Sequence, residues 1–130
     1  MNARISKNGT DITKDCPLTR ELVIEDEHSF PGVKSFRLFY FNKVFLQPVN
    51  VFKHMGGVGL INFFEGSALK LEDGTEVKDL RYVHGRSEVL KGTPSITAVL
   101  LAKTETTREV PYDQLVCYLP ELYRRFSAMK

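Results

Sequence analysis

Arg37, Phe39, Phe41, Lys43 and Lys53 are the residues whose types and spacing first suggest chemistry. Four of them fall in the stretch SFRLFYFNKVF, residues 35–45, where five of eleven side chains are aromatic and two are basic. Eight of the nine phenylalanines of the chain lie between Phe30 and Phe64. No acid occurs from His28 to Phe64, and the same window holds Lys34 and His54. Aromatics interleaved with cations on strands grip single-stranded nucleic acid by stacking bases and neutralising the backbone. The plainer alternative is that phenylalanine fills a core and the cations are its solvated flank. On a strand, Arg37, Phe39 and Phe41 share one face, and Phe36, Leu38 and Tyr40 share the other. One face can be core. The second must then be covered by a C-terminal helix, a second subunit or a ligand, and these three stay open at this level.

A second cluster is Arg81, His84 and Arg86, which crowd a polar kink in mid-chain and form a possible anion contact. A strand end and loop explain the same residues equally well. Gly56-Gly57-Val58-Gly59 shares only its glycines with a phosphate-cradling loop, lacking the Lys-Ser/Thr and the full GxGxxG spacing. A hinge is the simpler reading. His28, His54 and His84 are scattered, and neither an HExxH nor a Cys-His cluster is present. No GxSxG nucleophile elbow occurs. The expectation is therefore no catalytic residue, no metal and no cofactor.

The elements that would position these groups read mostly as strands. Residues 1–17 are polar, with Asn8, Gly9 and Pro17, and are expected to be a loosely ordered arm; residues 18–130 are expected to form one globular domain. Leu22-Val23-Ile24 opens a strand, and Pro31-Gly32 marks a turn. Residues 36–41 and 44–52 read as a hairpin about Asn42-Lys43, with Phe41 facing Val44 and Phe39 facing Leu46. Lys43 suits a tight turn poorly because it lacks glycine's freedom at positive φ. Pro48 makes the second strand an edge or a bend.

In ALKLEDGTEVKDL, a two-residue Asp73-Gly74 turn would set Leu71 against Glu76. A three-residue loop, Glu72-Asp73-Gly74, sets Leu69 against Val77 and Leu71 against Thr75. Side-chain alternation makes these exclusive, and the second is chosen, with Gly74 in the left-handed region. Residues 96–102 are apolar on both faces and rich in β-branched side chains, as in a doubly buried strand. Arg108-Glu109-Val110 is a candidate return strand. Leu115, Leu119, Leu122, Phe126 and Met129 form one helical stripe. Pro120 limits the secure helix to about 119–129, with 113–118 as a separate turn.

The chain's 130 residues suit one domain, and 42% hydrophobic with 26% charged residues is a globular balance. A net charge of +2 leaves little field to gather a polyanion. No apolar run approaches the ~20 residues of a membrane span. The two cysteines, Cys16 and Cys117, form no CxxC; with no signal-like N-terminus, reduced thiols and a cytoplasmic location are expected. Cys117, among Leu115, Val116, Tyr118 and Leu119, reads as a buried thiol.

The fold expected is α+β and mostly antiparallel β: a strongly bent sheet or small barrel of about 6–8 strands, with a C-terminal helix packed on it. Three functions compete. The first is a non-enzymatic interaction module, self-associating as a dimer or binding another protein through an aromatic-rich β-surface. The second is a small-barrel binder of single-stranded nucleic acid. The third is a barrel enclosing a small apolar ligand, or an enzyme whose site escapes recognition.

Overall fold

A computed structural model describes residues 3–14, 16–25, 28, 30–44, 63–90, 93–106 and 112–128, without the side chains of 43, 87–90, 93–95, 106, 112–113 and 126. Among the described residues, seven strands run β1 (Arg4–Lys7), β2 (Thr10–Asp11), β3 (Leu18–Ile24), β4 (Val33–Val44), β5 (Ser67–Lys70), β6 (Glu76–Leu90) and β7 (Thr93–Thr106). They form one antiparallel sheet, curled into a half-barrel, in the order β2-β1-β5-β6-β7-β4-β3. A helical turn (Tyr112–Leu115), a 3-10 turn (Val116–Tyr118) and a C-terminal helix (Leu119–Ala128) follow. The expected α+β architecture is the observed one.

The sheet curls because β6 serves two neighbours. Its first residues pair with β5 and its remainder with β7. Between the pairs Ser67↔Leu80 and Leu69↔Val77, β6 carries one residue more than β5. Asp79, at φ +55°, lies in that bulge. An extra residue bends the strand and raises its twist, and Asp tolerates the left-handed region better than most residues. A second irregularity falls between Tyr82 and His84.

The curl leaves two apolar layers on opposite faces of β4 and β7. In the first, Phe39 and Phe41 meet Leu18, Leu69, Leu80, Val99 and Leu101, enclosed by the β1-β5 half of the sheet. In the second, Phe36 and Leu38 meet Leu100, Ala102, Leu115, Leu119 and Leu122 beneath the helix. Both faces of the aromatic strand are therefore covered within the chain. Burying a Phe or Leu side chain is worth about 1.5–3 kcal/mol, so the two layers hold the fold from either side of one strand pair.

Three sequence expectations are corrected. Asn42-Lys43 is no turn: β4 runs through it, with Asn42 opposite Ala98 and Val44 opposite Ile96. The long apolar β7 pairs with this segment better than a local hairpin whose turn lacks glycine. Residues 45–52 lie outside the described residues. The N-terminal segment is not a loose arm. β1 pairs with β5, Ile5 is buried, and Ile5 N–H donates to the Thr13 hydroxyl at 2.9 Å. The alternation that buries Ile5 was hidden by its polar neighbours. Cys117 is exposed, because helical spacing turns Leu115, Leu119 and Leu122 inward and Cys117 outward.

Other expectations match. Leu69 faces Val77, Leu71 N–H donates to the Thr75 carbonyl at 2.8 Å, and Gly74 has φ +91°. Ile96, Val99, Leu100, Leu101 and Ala102 are buried. The C-terminal helix starts beside Pro120. Leu119 N–H bonds the Val116 carbonyl in a 3-10 link, as befits a segment where proline cannot donate the following α-helical bond. Among the described residues, no helix is long and apolar enough to cross a membrane.

Candidate functional site

The sheet has two edges, and they differ. β2 is two residues long, and its Asp11 accepts a hydrogen bond from the Arg4 guanidinium at 2.8 Å. The Thr13 hydroxyl and backbone N–H, with Arg4 behind them, hold the Asp11 carboxyl down to about 2. β3 is seven residues long and, among the described residues, has a strand neighbour only on the β4 side. Its register with β4 shifts between Leu18 and Arg20, then runs evenly from Arg20↔Tyr40 to Ile24↔Phe36. Val23, 51% exposed, lies on this edge opposite Arg37.

Phe39 and Phe41 are fully buried, so neither offers an exposed plane on which a base or a partner could lie. This corrects the expectation of an exposed aromatic face, and the reason is coverage of that face by the β1-β5 half of the sheet. Arg37 is committed inside the chain. Its Nη2 and Nε donate to Glu21 Oε1 at 2.6 and 3.0 Å, and its guanidinium lies 5.7 Å from the Phe39 ring centre. Lys43 is on β4, with its side chain outside the described residues. Lys53, His54 and the Gly56–Gly59 segment are outside them altogether.

Arg81, His84 and Arg86 do not converge as a trio. Arg81 and Arg86 stand five positions apart on one strand, roughly 16 Å at ~3.3 Å per residue. Arg81 Nε donates to Glu65 Oε2 at 2.7 Å, while the other Glu65 oxygen accepts from Tyr82 N–H at 2.8 Å. His84 instead meets the helix, with its ring 6.3 Å from that of Tyr123 in an edge-on arrangement. Arg86 lies further along β6, opposite Ala98, and its carbonyl accepts from the Thr97 hydroxyl at 3.0 Å.

Around His84 the structure assembles a groove that sequence reasoning missed. Arg20, Tyr40, Leu100 and His84 form one cross-strand row over β3, β4, β7 and β6. Leu100 of that row packs beneath the helix. Between the strands and the helix is a cleft of about 290 Å³, lined by Thr19, Arg20, Tyr40, Asn42, Tyr123 and Ser127. Asn42 N–H donates to the Thr19 hydroxyl at 3.2 Å, tying its floor together. Burial, and then Tyr40, push the Tyr123 phenol above its usual 10, so it stays a donor at neutral pH. Its residues come from three elements far apart in sequence, and no local pattern announces them. A larger, shallower cleft of about 560 Å³ lies by Arg4, Asp11, Thr13 and Lys14. Among the described residues, no group of three His, Cys, Asp or Glu side chains gathers as a metal site would require.

Set beside protein-family models, curated proteins and solved structures, this chain matches none.

Proposed function

We propose that this chain is a non-enzymatic interaction module that pairs with a second copy of itself along β3. The supporting observation is the contrast between the two edges of the described sheet: β2 is two residues long, whereas β3 presents seven residues and an exposed Val23. An edge strand offers a row of backbone donors and acceptors, and sheets that must stay apart shorten or charge such edges. The associating surface is therefore this edge, not the buried Phe39–Phe41 face. A second reading, nucleic-acid binding by the aromatic window, loses its stacking plane with those two rings.

Symmetry narrows the pairing. Opposed residues in an antiparallel ladder share a face, so a two-fold axis normal to the sheet passes through a residue rather than between two. An axis at Glu21 opposes two like charges. An axis at Leu22 sets Leu22 against its own copy, Glu21 against Val23 and Arg20 against Ile24, which is the register proposed. The setting proposed is the cytoplasm, where the free Cys16 and Cys117 stay reduced.

Sedimentation equilibrium of two charge variants at the exposed Val23 tests this. Wild-type mass should rise above 14.8 kDa toward twice that value as concentration increases. Val23→Glu, facing the partner's Glu21, should remain monomeric, whereas Val23→Lys should still associate. A monomer mass at every concentration, or equal behaviour of the two variants, would count against the pairing.

A further inference from the structure

Two turns of this chain set a glycine directly after an Asn or Asp. Asn8-Gly9 joins β1 to β2, and Asp73-Gly74 closes the loop from β5 to β6. Such a pair can cyclise, because glycine has no Cβ to shield its nitrogen from the preceding side chain. The two settings differ. At Asp73 both reacting groups are held: Gly74 N–H donates to the Leu71 carbonyl at 3.0 Å, and Asp73 Oδ1 accepts from Thr75 N–H at 2.8 Å. At Asn8 the ladder ends with Lys7 opposite Thr10, and Asn8 and Gly9 form the exposed turn between them, at φ +50° and +78°. Two central residues at positive φ mark a type I′ turn, whose closing bond does not use the second central amide. A Cβ on Gly9 would meet nothing within 4 Å, so the space beside the pair is open. β2 holds this turn with two ladder pairs and an exposed Arg4–Asp11 ion pair. Exposed ion pairs add little, and so short a strand frays readily. Fraying lets Asn8 rotate until its Cγ meets the Gly9 nitrogen.

We propose that Asn8 is a site of spontaneous deamidation, and that its isoaspartate product unpairs Lys7 from Thr10. The Gly9 nitrogen, after giving its proton to hydroxide, attacks Asn8 Cγ. The N–Cγ bond forms, the Cγ–Nδ2 bond breaks, and Nδ2 leaves as ammonia with a proton taken from water. Water then opens the cyclic imide. Addition at Cγ leaves aspartate. Addition at the main-chain carbonyl carbon leaves isoaspartate, in which the chain runs through Cβ and Cγ. No redox step occurs, and water is the sole co-reactant. Isoaspartate thus lengthens the main chain inside a turn that fits the strand twist only with two residues at positive φ. β1 itself stays on β5, through Ile5 opposite Leu69 and the bond from Lys7 Nζ to the Glu65 carbonyl. The change is confined to the edge of the described sheet far from β3, so it neither needs nor alters the pairing proposed there.

The test incubates the full chain in buffers of rising pH and maps its peptides by mass spectrometry that separates aspartate from isoaspartate. Asn8 should convert roughly tenfold or more faster than each of the other four asparagines, none of which precedes a glycine, and its rate should rise in proportion to hydroxide. Asp73→Asn places the same dipeptide in the bonded loop. There it should convert roughly tenfold or more slowly than Asn8 of the same molecule. Asn8→Gly suits a type I′ turn, so it should keep the hairpin and show no conversion. In the isolated isoaspartate fraction, the Thr10 amide should exchange roughly tenfold or more faster than in fresh protein. The Leu71 amide, bonded to Thr75 in the other hairpin, should be unchanged. Asn8→Asp carries the new charge without the longer main chain and should keep Thr10 protected. Conversion at Asn8 no faster than at Asn42 would refute the site. Equal rates at the two Asn-Gly pairs of Asp73→Asn would refute the role given to the open turn. Thr10 protection that survives in the isoaspartate fraction, or is lost equally in Asn8→Asp, would overturn the structural consequence.

Discussion

Ser67 is fully buried, and among the described residues its hydroxyl has no hydrogen-bond partner. A buried polar atom without a partner carries its desolvation cost with no return, so removing it is neutral or favourable. Ser67→Ala should therefore leave the unfolding midpoint unchanged or raise it; a loss above about 1 kcal/mol would reveal a partner. Gly74 presents the opposite case. A Cβ there would meet nothing within 4 Å, so space does not restrict the position, but φ is +91°. Gly74→Val should cost about 1–2 kcal/mol in chemical denaturation through backbone conformation alone, and Gly74→Asn distinctly less. Glu121 reports on charge. Hydrogen bonds from Arg124, then from Arg125, lower its carboxyl from 4.5 to about 2. A carboxylate lowered on folding contributes stability that is present above the unfolded value of 4.5 and fades as pH falls toward 2. Residue-resolved titration should place Glu121 near 2, and Arg124→Gln should move it back toward 4.5.

Phe39 and Leu122 carry the two layers at the scale of elements. Each is fully buried, one under the curled sheet and one under the helix. Phe39→Ala should cost about 3–5 kcal/mol and Leu122→Ala about 2–5 kcal/mol in equilibrium unfolding, because both leave a cavity in a close-packed layer. A loss below 1 kcal/mol at Phe39 would restore the idea of a peripheral aromatic face. What was legible in the sequence follows how local each determinant is. The Glu72–Gly74 loop could be read because only one register keeps Leu69 opposite Val77, and both lie within a few residues of the turn. The C-terminal helix could be read because Leu115, Leu119 and Leu122 recur at its period. The false hairpin at Asn42-Lys43 arose because the competing partner, Ala98 on β7, lies far along the chain. Local pairing rules could not weigh the two. Cys117 misled for a related reason: its apolar neighbours suggested burial, and only the helical phase turns it outward.

The candidate surfaces belong to the whole molecule, which is why the sequence disclosed so little of them. That Leu18–Ile24 is an edge of the described sheet depends on where its six other strands lie, and nothing in LTRELVI says so. The groove joins residue 20 to residue 123 and becomes visible only once the helix is laid across the sheet. The aromatic stretch that looked most functional is instead the central support of the fold, with one layer on each face. The edge it leaves open is the central claim, and amide hydrogen exchange along β3 tests it most directly. On an open edge, alternate β3 amides bond β4 while the others exchange freely in the lone chain. In the proposed pair, the outward amides from Arg20 to Ile24 enter a second ladder. Their protection should rise with protein concentration in wild type and vanish in Val23→Glu, while the β4-facing amides stay protected in both. Outward amides that exchange equally fast at every concentration would contradict the account.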